Sequence, residues 1–391
     1  MSAPPHDTHR HWMTRAVRLA MNGRGRVEPN PMVGCVVVSA DGTRVLGEGY
    51  HQQFGGAHAE PNALAACAAA GTSAAGATVY TTLEPCCHTN KKTPPCVPRL
   101  IEAKVRRVVI GCVDPDPAVN GRGVRLLREA GIDVVAPVME AECKQLIAPF
   151  IANTIHRRPY VTLKWAETAD GKVAGPGGAR LAITGPDSNR LVHQLRARCG
   201  AVLVGINTVI ADDPLLTARG VDSPRPVLRV VLDRRLRIPL ECRLVRSLHE
   251  APLIVGTTTA AAAAAPAKAA ALAAAGAVVR EWDRLVTAAF ELSQSVGITH
   301  LLVEPGPTLA RSFFEAGLAD RVWVFRSPDA VNDPTAPAAA PVPYPPAAQR
   351  SVGRDTLTEY LNPAGDPAFA AVPSADFVLA GDHAGAAPPP V

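Results

Sequence analysis

The stretch His58-Ala59-Glu60-Pro61-Asn62-Ala63-Leu64, followed by Thr82-Leu83-Glu84-Pro85-Cys86-Cys87-His88 and then Thr93-Pro94-Pro95-Cys96, decides how the chain is read. One imidazole and two thiolates form a donor set for Zn²⁺ that leaves a fourth position open for water. Glu60, two residues after the histidine, is placed to take a proton there. Pro61 is tolerated only in the first turn of a helix, and the alanine-rich run 63–70 follows it. His58 and Glu60 are therefore expected where a helix begins. Cys86 follows the apolar, strand-like run 77–83, and Cys96 opens a second expected helix over 96–103. Thiolates at helix N-termini are favoured by the positive end of the macrodipole. The spacing leaves one ligand open: nine residues separate Cys86 from Cys96, and Cys87 and His88 compete with Cys86.

A His-x-Glu followed about 25 residues later by Pro-Cys is the pattern of hydrolytic nucleobase deaminases, in which the glutamate shuttles a proton from water to the departing amine. The bland alternative is a surface loop with scattered cysteines.

A chain of 391 residues exceeds the usual single domain, so two domains are expected. Hydrophobic residues make up 47%, enough for real cores, although aromatics supply only 4%. A net charge of +5 suits a small anionic substrate or cofactor and is too weak to argue for nucleic acid. There are nine cysteines, an odd number, and Cys35 and Cys112 lie in apolar runs at 33–38 and 108–113. They read as free thiols of a reducing compartment. The basic, His-rich N-terminus has no apolar h-region, and the alanine run from 260 is broken by Pro266 and Lys268. A soluble cytoplasmic protein with no membrane partner is expected, with homo-oligomerisation left open.

Residues 1–150 read as one domain. A helix over 12–21 precedes two strands, 35–38 and 44–50, joined through Asp41-Gly42. Helices at 60–70, 96–103 and 121–130 then alternate with strands at 77–83, 105–113 and 132–138, which predicts a three-layer α/β/α domain. Residues 157–326 read as a second α/β domain, with strands at 160–166, 201–205, 227–232, 252–256 and 300–304 and a helix over 186–199. Residues 207–214 are polar and follow a buried strand, where α/β sheets put ligands; the alternative is an ordinary turn with an Asp cap, and either way the run reads as a loop. The run from His300 through Glu304-Pro305-Gly306-Pro307-Thr308 reads as strand, turn and helix start, whose free amides suit a dinucleotide phosphate. No G-x-G-x-x-G follows any strand, so a Rossmann domain is not supported. After Arg326 the Pro/Ala-rich segment 327–391 is expected to be poorly ordered in much of its length, or to be the degenerate end of the second domain.

Taken together, Pro29-Asn30-Pro31-Met32-Val33-Gly34-Cys35, Gly49-Tyr50-His51, the two metal stretches, Asp170-Gly171, the run 208–214 and Val303-Glu304 with Gly306-Pro307-Thr308 resemble the bifunctional riboflavin-biosynthesis deaminase/reductases. The likeness covers residues 12–325. It implies a cytidine-deaminase-like N-terminal domain and a dihydrofolate-reductase-like C-terminal one. The implied substrate is 2,5-diamino-6-(5-phosphoribosylamino)pyrimidin-4(3H)-one, deaminated hydrolytically and then reduced by NADPH from a ribosyl to a ribityl chain. One zinc per chain would be held by His58, Cys86 and Cys96, with Glu60 as proton shuttle and Asn30, His51 and Lys92 on the substrate. The resemblance puts NADPH near Ala166, Thr208, Asp212 and the turn Gly306, Pro307, Thr308, Leu309, Ala310. It puts the substrate near Arg196, Leu216, Arg219 and Glu304, with Arg196 and Arg219 making physical sense as a bidentate phosphate clamp.

Two departures stand out. The loop Thr89-Asn90-Lys91-Lys92 is one residue longer than the common form, and Arg180-Leu181-Ala182 replaces a Ser, a polar residue and a Trp. A second half that no longer binds NADPH would leave a deaminase only. A nucleic-acid base-editing deaminase would need basic and aromatic contacts for a flipped base, and only Trp12 and Tyr50 lie near the motif. A non-catalytic regulator with a structural metal would have no use for Glu60.

Overall fold

The computed structural model describes residues 6–89 and 93–364, and the chain divides into two compact units between His156 and Arg157. In order, the first unit contains α1 (His6–Ala20), β1 (Gly34–Val38), β2 (Val45–Tyr50), α2 (Ala59–Ala69), β3 (Thr78–Leu83) and α3 (Cys96–Glu102). β4 (Arg107–Cys112), α4 (Arg122–Glu129), β5 (Asp133–Val135), α5 (Glu140–Leu146) and α6 (Ala148–His156) complete it. The sheet order is β2-β1-β3-β4-β5. β1 is antiparallel to both neighbours, while β3, β4 and β5 run parallel. β1 and β3 are buried along their whole length, as expected of strands covered on both faces.

α1 lies across β1 and β3, and α2 packs on β2 and β1 from the other side. Glycine makes that second contact close. A Cβ at Gly47 would lie 2.5 Å from the Ala63 carbonyl oxygen, so α2 sits almost directly on the β2 backbone. This fixes the helix that begins at the His58 motif against the sheet edge.

The second unit contains β6 (Tyr160–Glu167), α7 (Pro186–Arg198), β7 (Ala201–Gly205), α8 (Ile206–Asp212), β8 (Leu228–Leu232), α9 (Arg243–Arg246) and β9 (Leu253–Thr257). α10 (Thr259–Ala264), α11 (Pro266–Ala274), β10 (Val278–Glu281), α12 (Leu285–Gln294), β11 (His300–Val303) and α13 (Pro307–Glu315) follow. β12 (Arg321–Arg326), β13 (Pro346–Val352) and β14 (Asp355–Leu361) come last. The nine-stranded sheet has the order β10-β9-β8-β7-β11-β6-β12-β14-β13; neighbours are parallel from β10 to β12, and β14 is antiparallel to both β12 and β13, so it alone runs against the rest. One face is apolar, with Val161, Leu163, Trp165, Val303, Phe313 and Val324 in a single cluster. The other carries a buried polar row in which Trp323 Nε1 donates to Glu359 Oε1 at 2.9 Å.

Two expectations are corrected. Residues 207–214 are not a loop: α8 runs to Asp212, and the chain leaves it through Asp213 in the left-handed region (φ 40°). Ile206 and Val209, one helical turn apart, are buried and hold this helix to the sheet. Part of the Pro/Ala-rich segment is ordered strand. In β14 the residues Leu357, Glu359 and Leu361 point inward while Thr356, Thr358 and Tyr360 alternate with them. β13 is the edge strand, and Pro346 begins it, a position compatible with its missing donor. The end of the segment, 365–391, lies outside the described residues.

Candidate functional site

His58 is the N-cap of α2, and its carbonyl accepts the first helical bond from the Asn62 N–H at 3.2 Å. The Asn62 amide donates to the carbonyls of Tyr50 (2.8 Å) and Ala57 (3.3 Å), which ties the helix start to β2. Cys96 opens α3, and the N–H groups of Cys96 and Val97 both reach the Cys86 carbonyl (3.0 and 3.2 Å). These bonds bring three donors together. His58 Nδ1 lies 3.6 Å from Cys86 Sγ and 3.5 Å from Cys96 Sγ, and all three atoms fall within 4.8 Å of one another. Tetrahedral zinc with ordinary Zn–N and Zn–S lengths separates its ligand atoms by about 3.5–3.8 Å, so the donor set fits that ion. His58 Nε2 is 3.1 Å from Thr93 Oγ1, which leaves Nδ1 as the nitrogen facing the thiols. Among the described residues no other trio of His, Cys, Asp or Glu donors meets this closely, and Cys87 and His88 stand outside it.

Glu60 occupies the first turn of α2 and is buried. Burial pushes its carboxyl above the ordinary carboxylate range and Cys86 adds to this, while His58 opposes it. Glu84, two residues before Cys86, has a different job. Its Oε2 accepts the N–H groups of Asp114 (3.1 Å) and Gly121 (2.8 Å), and its Oε1 accepts that of Val124 (3.1 Å). It is a clip joining the end of β3 to the start of α4.

His58, Glu60 and Cys86 open onto a cavity of about 320 Å³ whose wall includes Asn30 and His51. His51 is buried; its Nδ1 meets the Ala57 carbonyl at 3.0 Å and its Nε2 meets Asn30 Nδ2 at 3.1 Å. Those partners set the Nδ1–H tautomer. Lys92 lies outside the described residues. Sequence reasoning missed Asp114 and Asp116, which line the same cavity after β4. The signal was an acid just beyond a buried strand end, where α/β sheets put ligands.

In the second unit, Thr208, Asp212, Leu216, Arg219, Arg196 and Glu304 line one cavity of about 230 Å³, joined by Arg180, noted in the sequence only as part of a departure, and by Arg243, which sequence reasoning did not single out. Arg196 is not a free phosphate clamp. Its Nε and Nη2 donate to the two Glu304 oxygens at 2.6 and 2.8 Å, so its bidentate edge is already used. Burial alone would raise the Glu304 carboxyl, but Arg196 and Lys164 hold it at about 2. Lys164 is a second omission; burial lowers its ammonium, with Glu304 opposing. Arg219 is exposed, and its guanidinium meets Thr217 Oγ1 at 3.2 Å.

At α13, Gly306 is the N-cap and Pro307 has no N–H to offer. The Ala310 N–H is taken by the Gly306 carbonyl at 3.0 Å and its side chain belongs to the core, so Ala310 contributes packing and no free donor. Thr308 and Leu309 carry the remaining amides of that first turn. Ala166 lies on β6 opposite Phe325 of β12.

A family model described as the cytidine and deoxycytidylate deaminase zinc-binding region matches residues 6–112, and one described as the RibD C-terminal domain matches residues 159–337. The riboflavin biosynthesis protein RibD of Aquifex aeolicus is 40% identical over 333 residues, covering 84% of this chain and 89% of its own length. That of Escherichia coli is 38% identical over 326 residues, covering 81% and 87%. Among solved structures, Acinetobacter baumannii RibD superposes with a TM-score of 0.80 at 33% identity, over 91% of this chain and 99% of that one. A Thermotoga maritima diaminohydroxyphosphoribosylaminopyrimidine deaminase/5-amino-6-(5-phosphoribosylamino)uracil reductase gives a TM-score of 0.77 at 34% identity, with the same coverage. Most of the chain's length, both units included, is shared with these relatives, and the chain belongs to the RibD family of riboflavin biosynthesis proteins.

Proposed function

We propose that the chain catalyses two successive steps of riboflavin biosynthesis. The first unit hydrolytically deaminates 2,5-diamino-6-(5-phosphoribosylamino)pyrimidin-4(3H)-one, and the second reduces the product's ribosyl chain to ribityl with NADPH. The observation that carries this reading is the His58, Cys86 and Cys96 trio, spaced for tetrahedral zinc beside the buried Glu60. His58 Nδ1 and the two thiolates are the proposed ligands, one zinc per chain. Bound there, zinc supplies Lewis acidity that lets water act as the nucleophile near neutral pH.

The chain's own residues do the rest. Glu60 takes the water proton and delivers it to the departing amine, which leaves as ammonia. Asn30 and His51 orient the pyrimidine on the cavity wall, and Lys92 supplies a charge for the substrate phosphate. In the second unit, bound NADPH supplies the hydride. Ala166, Thr208, Asp212 and the turn from Gly306 through Pro307, Thr308 and Leu309 to Ala310 hold the cofactor, its phosphates against the free amides of Thr308 and Leu309. Arg196 and Glu304 form a fixed pair beneath the ribose, Leu216 closes the wall, and Arg219 is the cation free to meet the phosphate. A small-molecule substrate and a cytoplasmic location suit this chemistry, and nothing in it calls for nucleic acid. Among the described residues no helix is long and apolar enough to cross a membrane.

The test is ammonia release from the diaminopyrimidine by zinc-loaded protein. Activity should vanish on chelation and return with zinc; release that persists in the metal-free protein would contradict the proposal.

A further inference from the structure

Asp114 follows β4, is 7% exposed, and lies on the wall of the cavity that holds His58, Glu60 and Cys86. Its place is built from several sides. The Glu84 carboxylate grips the Asp114 N–H at 3.1 Å, and the Asp116 N–H donates to Asp114 Oδ1 at 2.9 Å. Oδ2 takes no hydrogen bond from the described residues, and it is not sealed away from the cavity. A carboxylate held rigidly by one oxygen, with the other bare in a largely apolar pocket, is an acceptor awaiting a donor.

The rest of the wall limits what that donor can be. Burial, chiefly, pushes the Asp114 carboxyl up to about 7, and Asp116 and Glu84 add negative charge nearby, so a further anion would be repelled. An N–H of a neutral, amino-rich ring would be welcomed. We propose that Asp114 is a substrate-reading residue of the deaminase cavity, its free oxygen accepting an N–H from the aminopyrimidine ring. This favours rings that present donors where Oδ2 points and disfavours rings that present a carbonyl there, because two acceptors would then face each other unpaired. Asp114 does not move the proton, which is Glu60's part; it positions the ring and discriminates.

The inference rests on the deaminase reading, so wild-type protein is assayed alongside. If the wild type releases no ammonia from the diaminopyrimidine, the reading itself fails, whatever Asp114 does. With an active wild type, Asp114→Asn keeps an oxygen for the Asp116 N–H and turns a donor toward the cavity. Expected is a KM for the diaminopyrimidine raised about ten- to hundred-fold, from the loss of one charge-assisted hydrogen bond, with full zinc content and a smaller change in kcat. Asp114→Glu, which keeps an acceptor on the wall, should recover part of the loss. A normal KM in Asp114→Asn would overturn the proposal. So would loss of zinc or of the thermal transition in both variants, which would assign Asp114 to the fold.

Discussion

At the residue scale five side chains carry sharp expectations: Cys86, Cys96, Cys87, Glu60 and Glu304. Cys86→Ser and Cys96→Ser should each lose zinc, whereas Cys87→Ser should keep metal and activity, because Cys87 stands outside the trio; metal analysis of the three purified variants decides this. Glu60→Gln should keep its zinc while ammonia release falls at least ~10²-fold, the lower range for general acid–base catalysis. Near-normal release from zinc-loaded Glu60→Gln would remove the assigned role. Glu304 gives a pH prediction. Its folded pKa, about 2, lies below the ordinary value of ~4.3, so the stability it contributes is present above pH ~4.3 and is lost as pH falls through about 2. The full contribution is on the order of 3 kcal/mol. Urea titrations of wild type and Glu304→Gln should show a constant gap from pH 7 to about 5 that narrows below ~4.3; a gap unchanged to pH 3 would refute it. The kind of metal site was legible in the sequence because ligand chemistry restricts residue type, but Cys87 and His88 still competed with Cys86; the family resemblance named His58, Cys86 and Cys96, and the fold brings those three together. What Arg196 does was not legible. A guanidinium suits Glu304 as well as a phosphate, and only the fold shows that Glu304, 108 positions away, reaches it first.

At the scale of elements, the hairpin formed by β13 and β14 is the part that composition concealed. Prolines and alanines dominate the approach to it, and the period-two pattern of β14 is short. Tertiary ties then decide its place. Asp355 Oδ2 accepts the Gly185 N–H at 2.8 Å and the Ser188 hydroxyl at 2.6 Å, which fastens β14 to the N-terminus of α7. Asp355→Ala should therefore lower the stability of the second unit by roughly 1–3 kcal/mol, the cost of stranding buried donors, and leave the first unit's melting unchanged; differential scanning calorimetry reads both. α8 was misjudged for a related reason. Asn207, Asp212 and Asp213 look like turn residues, and the buried pair Ile206 and Val209 is too brief a period to outweigh them in isolation. The helices and strands of the first unit were readable because their apolar runs are long and the turns between them carry glycine or proline.

At the scale of the whole molecule, the chain couples two chemistries that need each other in order: removal of an amine, then reduction of the sugar. Ala182, where the resemblance leads one to expect tryptophan, is exposed and offers no aromatic surface. Aromatic stacking adds on the order of 0.5–1.5 kcal/mol, so Ala182→Trp should tighten NADPH roughly two- to twelve-fold by calorimetry. The most direct test of the two-step account follows both reactions in one vessel, with zinc-loaded protein, the diaminopyrimidine substrate and NADPH. Ammonia should appear first and NADPH oxidation should follow in equal amount. Chelated protein should do neither, yet should oxidise NADPH when given the deaminated intermediate directly. Oxidation of NADPH without ammonia release, or none from the deaminated intermediate at saturating cofactor, would contradict the account.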